Sequence, residues 1–198
     1  MQEPLKKRTI TFFDCQNLFQ SAKNAWGYSY PNFEPVKLSL TLLQSHPDWK
    51  LTGIHLYSGI HSAQRNPRWN RFWNNKFAFH RSQDSRVTVF TTPLHYNTQI
   101  INGVSVDVAS EKGVDIRIAL DLVRMARLNQ YDVAVLFSRD SDFREVALEI
   151  RSIAAEKNRW IKIASVFPDT YKRGIDQTDW LPLSRQDYEA CIDTNDYR

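Results

Sequence analysis

Three short acidic motifs are spread along this chain of 198 residues: Phe13-Asp14-Cys15-Gln16-Asn17, Glu111-Lys112-Gly113-Val114-Asp115 and Ser138-Arg139-Asp140-Ser141-Asp142-Phe143. Each falls where an apolar segment begins or ends, the position at which α/β folds collect ligand-binding groups. Carboxylates gathered from distant parts of a chain repel one another and raise each other's pKa values. A fold keeps such a cluster most readily when a divalent cation neutralises it. Mg²⁺ takes oxygen ligands, usually one or two carboxylates completed by waters and substrate phosphates. A pair of such ions about 3.5–4 Å apart can activate a water and stabilise the leaving oxygen of a phosphodiester. Metal-dependent phosphoryl transfer is therefore the chemistry these residues suggest.

Each motif alone also has a plain structural explanation. Asn17 fits the N-cap of a short helix over 18–25, with Asp14 set against its dipole. Asp115 would sit in a first helical turn, where a carboxylate is favourable anyway. Asp142 with Glu145 three residues on resembles a capping box. The joint pattern is harder to explain so: the last motif alone packs Asp140, Asp142 and the Ser138 hydroxyl into five residues.

The elements that must position these groups follow from the apolar pattern. Segments 9–14, 51–57, 86–92, 132–138 and 160–166 are rich in β-branched and aromatic residues and read as strands. Between them lie stretches with helical spacing: 34–44 (Val36, Leu40, Leu43), 67–79 (Trp69, Phe72, Trp73, Phe77), 114–128 (Val114, Ile118, Leu122, Met125) and 143–156 (Val146, Ile150, Ile153). This alternation predicts an α/β fold with a mainly parallel sheet covered on both faces. Right-handed crossovers put all strand C-termini on one edge, so Asp14 and Ser138 are expected to meet there. Whether Asp115 joins them depends on topology that spacing does not determine. A single domain is expected, with a core over about 9–183, a long polar loop over 97–110 and a peripheral tail over 184–198.

Composition narrows the setting. With 42% hydrophobic residues the chain can bury one substantial core. A net charge of +4 and a pI near 9.1 suit a surface that attracts an anionic polymer, and equally suit ordinary solubility. The two cysteines, Cys15 and Cys191, are too few and too far apart for a disulfide framework or a zinc site. The basic N-terminus leads into an apolar run broken by Asp14, which argues against a signal peptide, and no stretch is long enough to span a membrane. A soluble, cytoplasmic protein is expected. From His61 to Arg86 the chain carries Arg65, Arg68, Arg71, Lys76, Arg81 and Arg86 against a single acid, Asp84. The interleaved aromatics have helical spacing that favours packing on the sheet, leaving Arg65, Arg68 and Arg71 to contact phosphates.

The order Phe-Asp-x-x-Asn-Leu, then Glu-Lys-Gly-Val-Asp-Ile, then Ser-x-Asp-Ser-Asp-Phe closely resembles the NYN domain in its bacterial LabA-like branch, within the PIN-like nuclease superfamily. The resemblance runs from about Thr9 to Leu183 and includes Asp179 before the last short element. It implies a three-layer α/β/α sandwich and metal-dependent RNA cleavage with Mg²⁺ or Mn²⁺. Carried onto this chain, the metal carboxylates are Asp14, Asp115, Asp140 and Asp142, while Asn17 and Ser138 orient a water, a metal ligand or the phosphate. Glu111 and Asp121 stand in reserve. Lys112 and Arg139 are candidate phosphate contacts beside Arg65, Arg68 and Arg71. Arg139 departs from the family, whose members often carry Gly there; it would either bind the scissile phosphate or partly fill the site. The expected partner is single-stranded or structured RNA, with self-association possible in principle. A non-catalytic RNA-binding module is the alternative. A dehalogenase-like phosphatase would need a second Asp two residues after Asp14, where this chain has Gln16. A phospho-acceptor domain would need an acidic pair beside the first strand and a suitable late lysine, and neither is found.

Overall fold

The computed structural model describes residues 1–101 and 104–197, with the side chains of Ile101 and Val104 left out. Six strands form one fully parallel sheet: β1 (Lys7–Asp14), β2 (Trp49–Ile60), β3 (Val87–Pro93), β6 (Val133–Phe137), β7 (Lys162–Pro168) and β8 (Asp179–Leu183). A separate antiparallel hairpin pairs β4 (His95–Ile101) with β5 (Val104–Ser110). The sheet order is β3-β2-β1-β6-β7-β8, so the chain builds outward one way from β1 and then the other way from β6. Ligands bind where such an order reverses, beyond the strand C-termini. Here that crevice lies between β1 and β6.

Strand side chains alternate between two cores. Phe13, Val133, Val135 and Phe137 point into one, shared with α1 (Cys15–Trp26), α2 (Pro35–Leu43), α3 (Pro67–Gln83) and α6 (Arg185–Ala190). Ile10, Phe12, Ala134 and Leu136 point into the other, against α4 (Val114–Arg127) and α5 (Phe143–Glu156). The result is the expected three-layer α/β/α sandwich. Trp73, Phe72 and Phe77 are buried as their spacing predicts.

Three expectations need correction. The described residues of the segment 97–110 pair as antiparallel strands rather than forming a loop, residues 102–103 lying outside the described residues, and the pair is joined to the body by Tyr96, whose hydroxyl lies 3.0 Å from His61 Nδ1. A sixth sheet strand, β8, was not anticipated. Its Pro182 has no N–H to donate and belongs at a sheet edge, which is where β8 lies. The tail, described over 184–197, is anchored there rather than peripheral, for Tyr188, Cys191, Asp193 and Tyr197 are all buried. Lys76 Nζ, itself buried, donates to Asp193 Oδ2 at 2.6 Å and to the Phe33 carbonyl at 2.7 Å. His80 and the Tyr197 hydroxyl meet the same carboxylate at 3.0 Å. The His80 and Lys76 partners hold Asp193 far below the ordinary carboxylate range despite its burial. Among the described residues no helix is long and apolar enough to cross a membrane.

Candidate active site at the sheet switch point

Asp14 is the last residue of β1 and the N-cap of α1, with no loop between them. Its Oδ1 accepts the Asn17 N–H at 3.0 Å, so the cap is Asp14 and not Asn17 as the spacing suggested. Register carries it to β6: Phe13 lies opposite Phe137, which sets Asp14 beside Ser138. The Ser138 hydroxyl donates to Asp14 Oδ2 at 3.4 Å and accepts the Asp140 N–H at 3.2 Å. Asn17 Oδ1 accepts the Arg139 N–H at 2.9 Å. One short polar lattice therefore ties the end of β1 to the β6–α5 loop and fixes Asp140 relative to Asp14.

The EKGVD motif arrives from the other side of the crevice. Gly113 adopts φ +81° at the N-cap of α4, a conformation L side chains rarely take. Asp115 follows in the first turn, exposed. Glu111 reaches back to β2, where its carboxylate accepts the Gly59 N–H. A Cβ at Gly59 would lie 2.7 Å from Glu111 Oε2 and 2.3 Å from the Leu94 side chain, so a larger residue there would displace the Glu111 carboxylate.

The electrostatics show which carboxylates share the site. Burial raises Asp14 from 3.8 to about 6, and the charges of Asp140 and Asp115 push it further the same way, against the Asn17 and Ser138 hydrogen bonds. Burial likewise raises Glu111 from 4.5 to about 7, with Asp14 and Asp115 adding to the rise. Asp14 thus feels the charges of Asp140 and Asp115, and Glu111 those of Asp14 and Asp115. Asp142 stands further out: it is exposed, and its backbone N–H donates to Asp140 Oδ1 at 3.0 Å. It makes no side-chain cap for α5, contrary to the capping-box pattern. Asp121 serves the fold, accepting from the Tyr57 hydroxyl at 3.0 Å and pairing with Arg117 and Arg124.

The donor set fits a hard cation. It consists of carboxylate oxygens with a hydroxyl nearby, and burial leaves at least two of those carboxylates uncompensated. Among the described residues no three His, Cys, Asp or Glu side chains converge closely enough to ligate one ion together. The arrangement therefore suits an ion that takes one or two carboxylates directly and completes its shell with water and phosphate, the habit of Mg²⁺. A thiol nucleophile is not available: Cys15 is fully buried, and burial pushes its thiol well above the ordinary value.

The cationic residues divide. Arg139 lies with its guanidinium 3.4 Å from the Tyr171 ring centroid, and its buried Nε has no hydrogen-bond partner. Arg68, Arg71 and Lys112 are exposed. Arg65 pairs with Asp107 of the hairpin and stacks on Tyr96 at 4.8 Å, so it is already engaged. Sequence reasoning did not single out Tyr171 and held Glu111 in reserve, whereas the structure sets Tyr171 against Arg139 and Glu111 near Asp14 and Asp115. Glu111 carried a signal in its position four residues before Asp115 in the same motif. Tyr171 carried none, because only the β7–β8 connection brings it near Arg139.

An open parallel α/β sheet with a carboxylate site at its switch point is the architecture of PIN-like proteins. Residues 8–167 match the NYN domain, and the chain belongs to that family, which falls within the PIN-like nuclease superfamily. Among solved structures it is similar to a protein of unknown function from Vibrio parahaemolyticus. The two share 21% identity with a TM-score of 0.57, covering 95% of this chain and 99% of that one, and the likeness is one of fold. Among curated proteins none matches.

Proposed function

We propose that this chain is a metal-dependent endoribonuclease of the LabA-like branch of NYN proteins. The observation that carries the reading is the gathering of Asp14, Glu111, Asp115 and Asp140 at the switch point, with burial and mutual repulsion raising Asp14 and Glu111. A Mg²⁺ or Mn²⁺ ion would be held there by Asp14, Asp115 and Asp140, directly or through water, and when bound would supply Lewis acidity to the reaction. The remaining work belongs to the chain. Ser138 holds the Asp14 carboxylate and the Asp140 backbone in fixed relation. Asn17 fixes the loop that carries Arg139. The Arg139 guanidinium, planar and stacked on Tyr171, offers fork donors to the scissile phosphate. Attack of a water oxygen in line on phosphorus forms one P–O bond as the bond to the leaving ribose oxygen breaks; the water's proton passes to solvent, the ribose oxygen takes one up, and two shorter strands remain.

The test is cleavage of end-labelled RNA in Mn²⁺, Mg²⁺ and EDTA, beside an identically purified Asp140→Asn variant. Cleavage that needs metal and disappears in the variant is the expected result. RNA retained in a gel shift but uncut by the wild type under every metal condition would replace this reading with that of a binding module.

A further inference from the structure

A groove of about 730 Å³ runs beside the first turns of α3, walled by Tyr30, Arg68, Trp69 and Phe72 on one side and by the C-terminal segment around Ile192 and Asn195 on the other. The cleavage chemistry makes no use of it. A smaller cavity of about 210 Å³ shares Trp69 as a wall and is completed by Gln16, Phe19 and His61. Gln16 lies two residues after Asp14, and its amide reaches Ser58 and the Gly59 carbonyl at 3.4 and 3.5 Å. Gly59 is the residue whose N–H holds Glu111. Trp69 is thus common to both cavities, and the smaller one is also lined by Gln16, two residues after Asp14.

We infer that this groove is a subsite for an unpaired nucleotide of single-stranded RNA, its base against Tyr30 and Trp69 and its phosphate on the Arg68 side. The inference rests on the nuclease reading and deepens it by naming the substrate's form. Tyr30, on the loop after α1, is 48% exposed and lines the groove with Trp69, so its ring is accessible to a base. Arg68 and Arg71 are three residues apart on α3 and share its exposed rim. On the opposite wall the Asp193 carboxylate is committed to Lys76, His80 and Tyr197. That buried network holds the wall in place and keeps its charge from opposing a phosphate. Arg68 is the one lysine or arginine among the described residues lining the groove, which makes it the partner for the strand backbone. Aromatic faces receive splayed bases, whereas a duplex keeps its bases stacked on one another.

The experiment compares two substrates in Mn²⁺. One is a single-stranded RNA of about 12 nucleotides, within the span such grooves cover. The other is bis-p-nitrophenyl phosphate, which carries a single phosphate and no nucleobase. The variants are Tyr30→Ala, Tyr30→Phe, Arg68→Gln and Trp69→Phe, each checked by its melting temperature. Tyr30→Ala should raise KM for the oligonucleotide about tenfold, the loss of one stacked base, with kcat nearly unchanged and the small diester cleaved at the wild-type rate. Tyr30→Phe should restore the KM. An unchanged oligonucleotide KM with Tyr30→Ala, while both substrates are still cut, would overturn the groove and leave the nuclease standing. With a blunt duplex of the same sequence added as a control, equal KM increases for the single-stranded and duplex RNA would overturn the stacking role. A wild type that cuts neither substrate would remove the nuclease reading and the groove with it.

Discussion

Replacing Asp14 by Asn should stabilise the metal-free protein at neutral pH while abolishing its activity. The Asp14 carboxyl titrates near 6 in the folded chain against an ordinary 3.8. A carboxyl whose folded pKa is raised binds its proton more tightly folded than unfolded, so its ionisation works against folding. That cost is absent below pH 3.8, grows as pH rises toward 6 and is constant above it. The rise from 3.8 to about 6 corresponds to roughly 3 kcal/mol. Asn can still accept the Asn17 N–H, because Asn and Asp are equivalent N-caps. At about 2–4 °C per kcal/mol for a chain of this size, the variant should melt several degrees above wild type at pH 8 in EDTA. The assay is thermal unfolding by circular dichroism from pH 4 to 8, with and without Mn²⁺. The gap should open between pH 4 and 6, and Mn²⁺ at pH 8 should raise the wild type but not the variant. A variant melting below wild type by the same margin at every pH would refute the claim that Asp14 is a buried carboxylate without a compensating charge.

Two further outcomes follow from the packing. Lys76→Met should cost about 3–5 kcal/mol in urea unfolding, the usual penalty for leaving one partner of a buried pair behind, since it strands Asp193 beside His80 and Tyr197. Arg139→Lys should lower kcat/KM for RNA nearly as much as Arg139→Ala, because lysine lacks the planar fork that stacks on Tyr171. A lysine variant with wild-type kcat/KM would show that charge alone suffices there.

Much of the scaffold was legible because periodicity reports burial. The five central segments carry β-branched and aromatic runs, and the helices between them show clear 3.6-residue stripes. What escaped did so for physical reasons. β8 is short and ends in Pro182-Leu183, a pattern that looks like an irregular edge until β7 pairs with it. The hairpin strands are polar and little buried, so their residues lack a core-facing stripe; the Asn102-Gly103 dipeptide between two alternating runs was the local signal available. The tail 184–198 is held by a buried ionic network whose members, Glu34, Lys76, His80 and Asp193, lie far apart in sequence, and no local pattern announces such a contact. At the site, the motifs named Asp14, Ser138 and Asp140 correctly as neighbours. The placement of Glu111 needed the β2 backbone at Gly59, which only the fold supplies.

The central claim is that a cation held by these carboxylates touches the phosphate being cut. The most direct measurement is cleavage of an RNA carrying one phosphorothioate at the cut site, compared in Mg²⁺ and in the more sulfur-tolerant Mn²⁺ or Cd²⁺. Soft sulfur disfavours Mg²⁺ and accepts softer metals, so the account predicts slow cleavage in Mg²⁺ and recovery in Mn²⁺ or Cd²⁺. Equal rates in Mg²⁺ for the oxygen and sulfur substrates, for both phosphorothioate diastereomers, would contradict it.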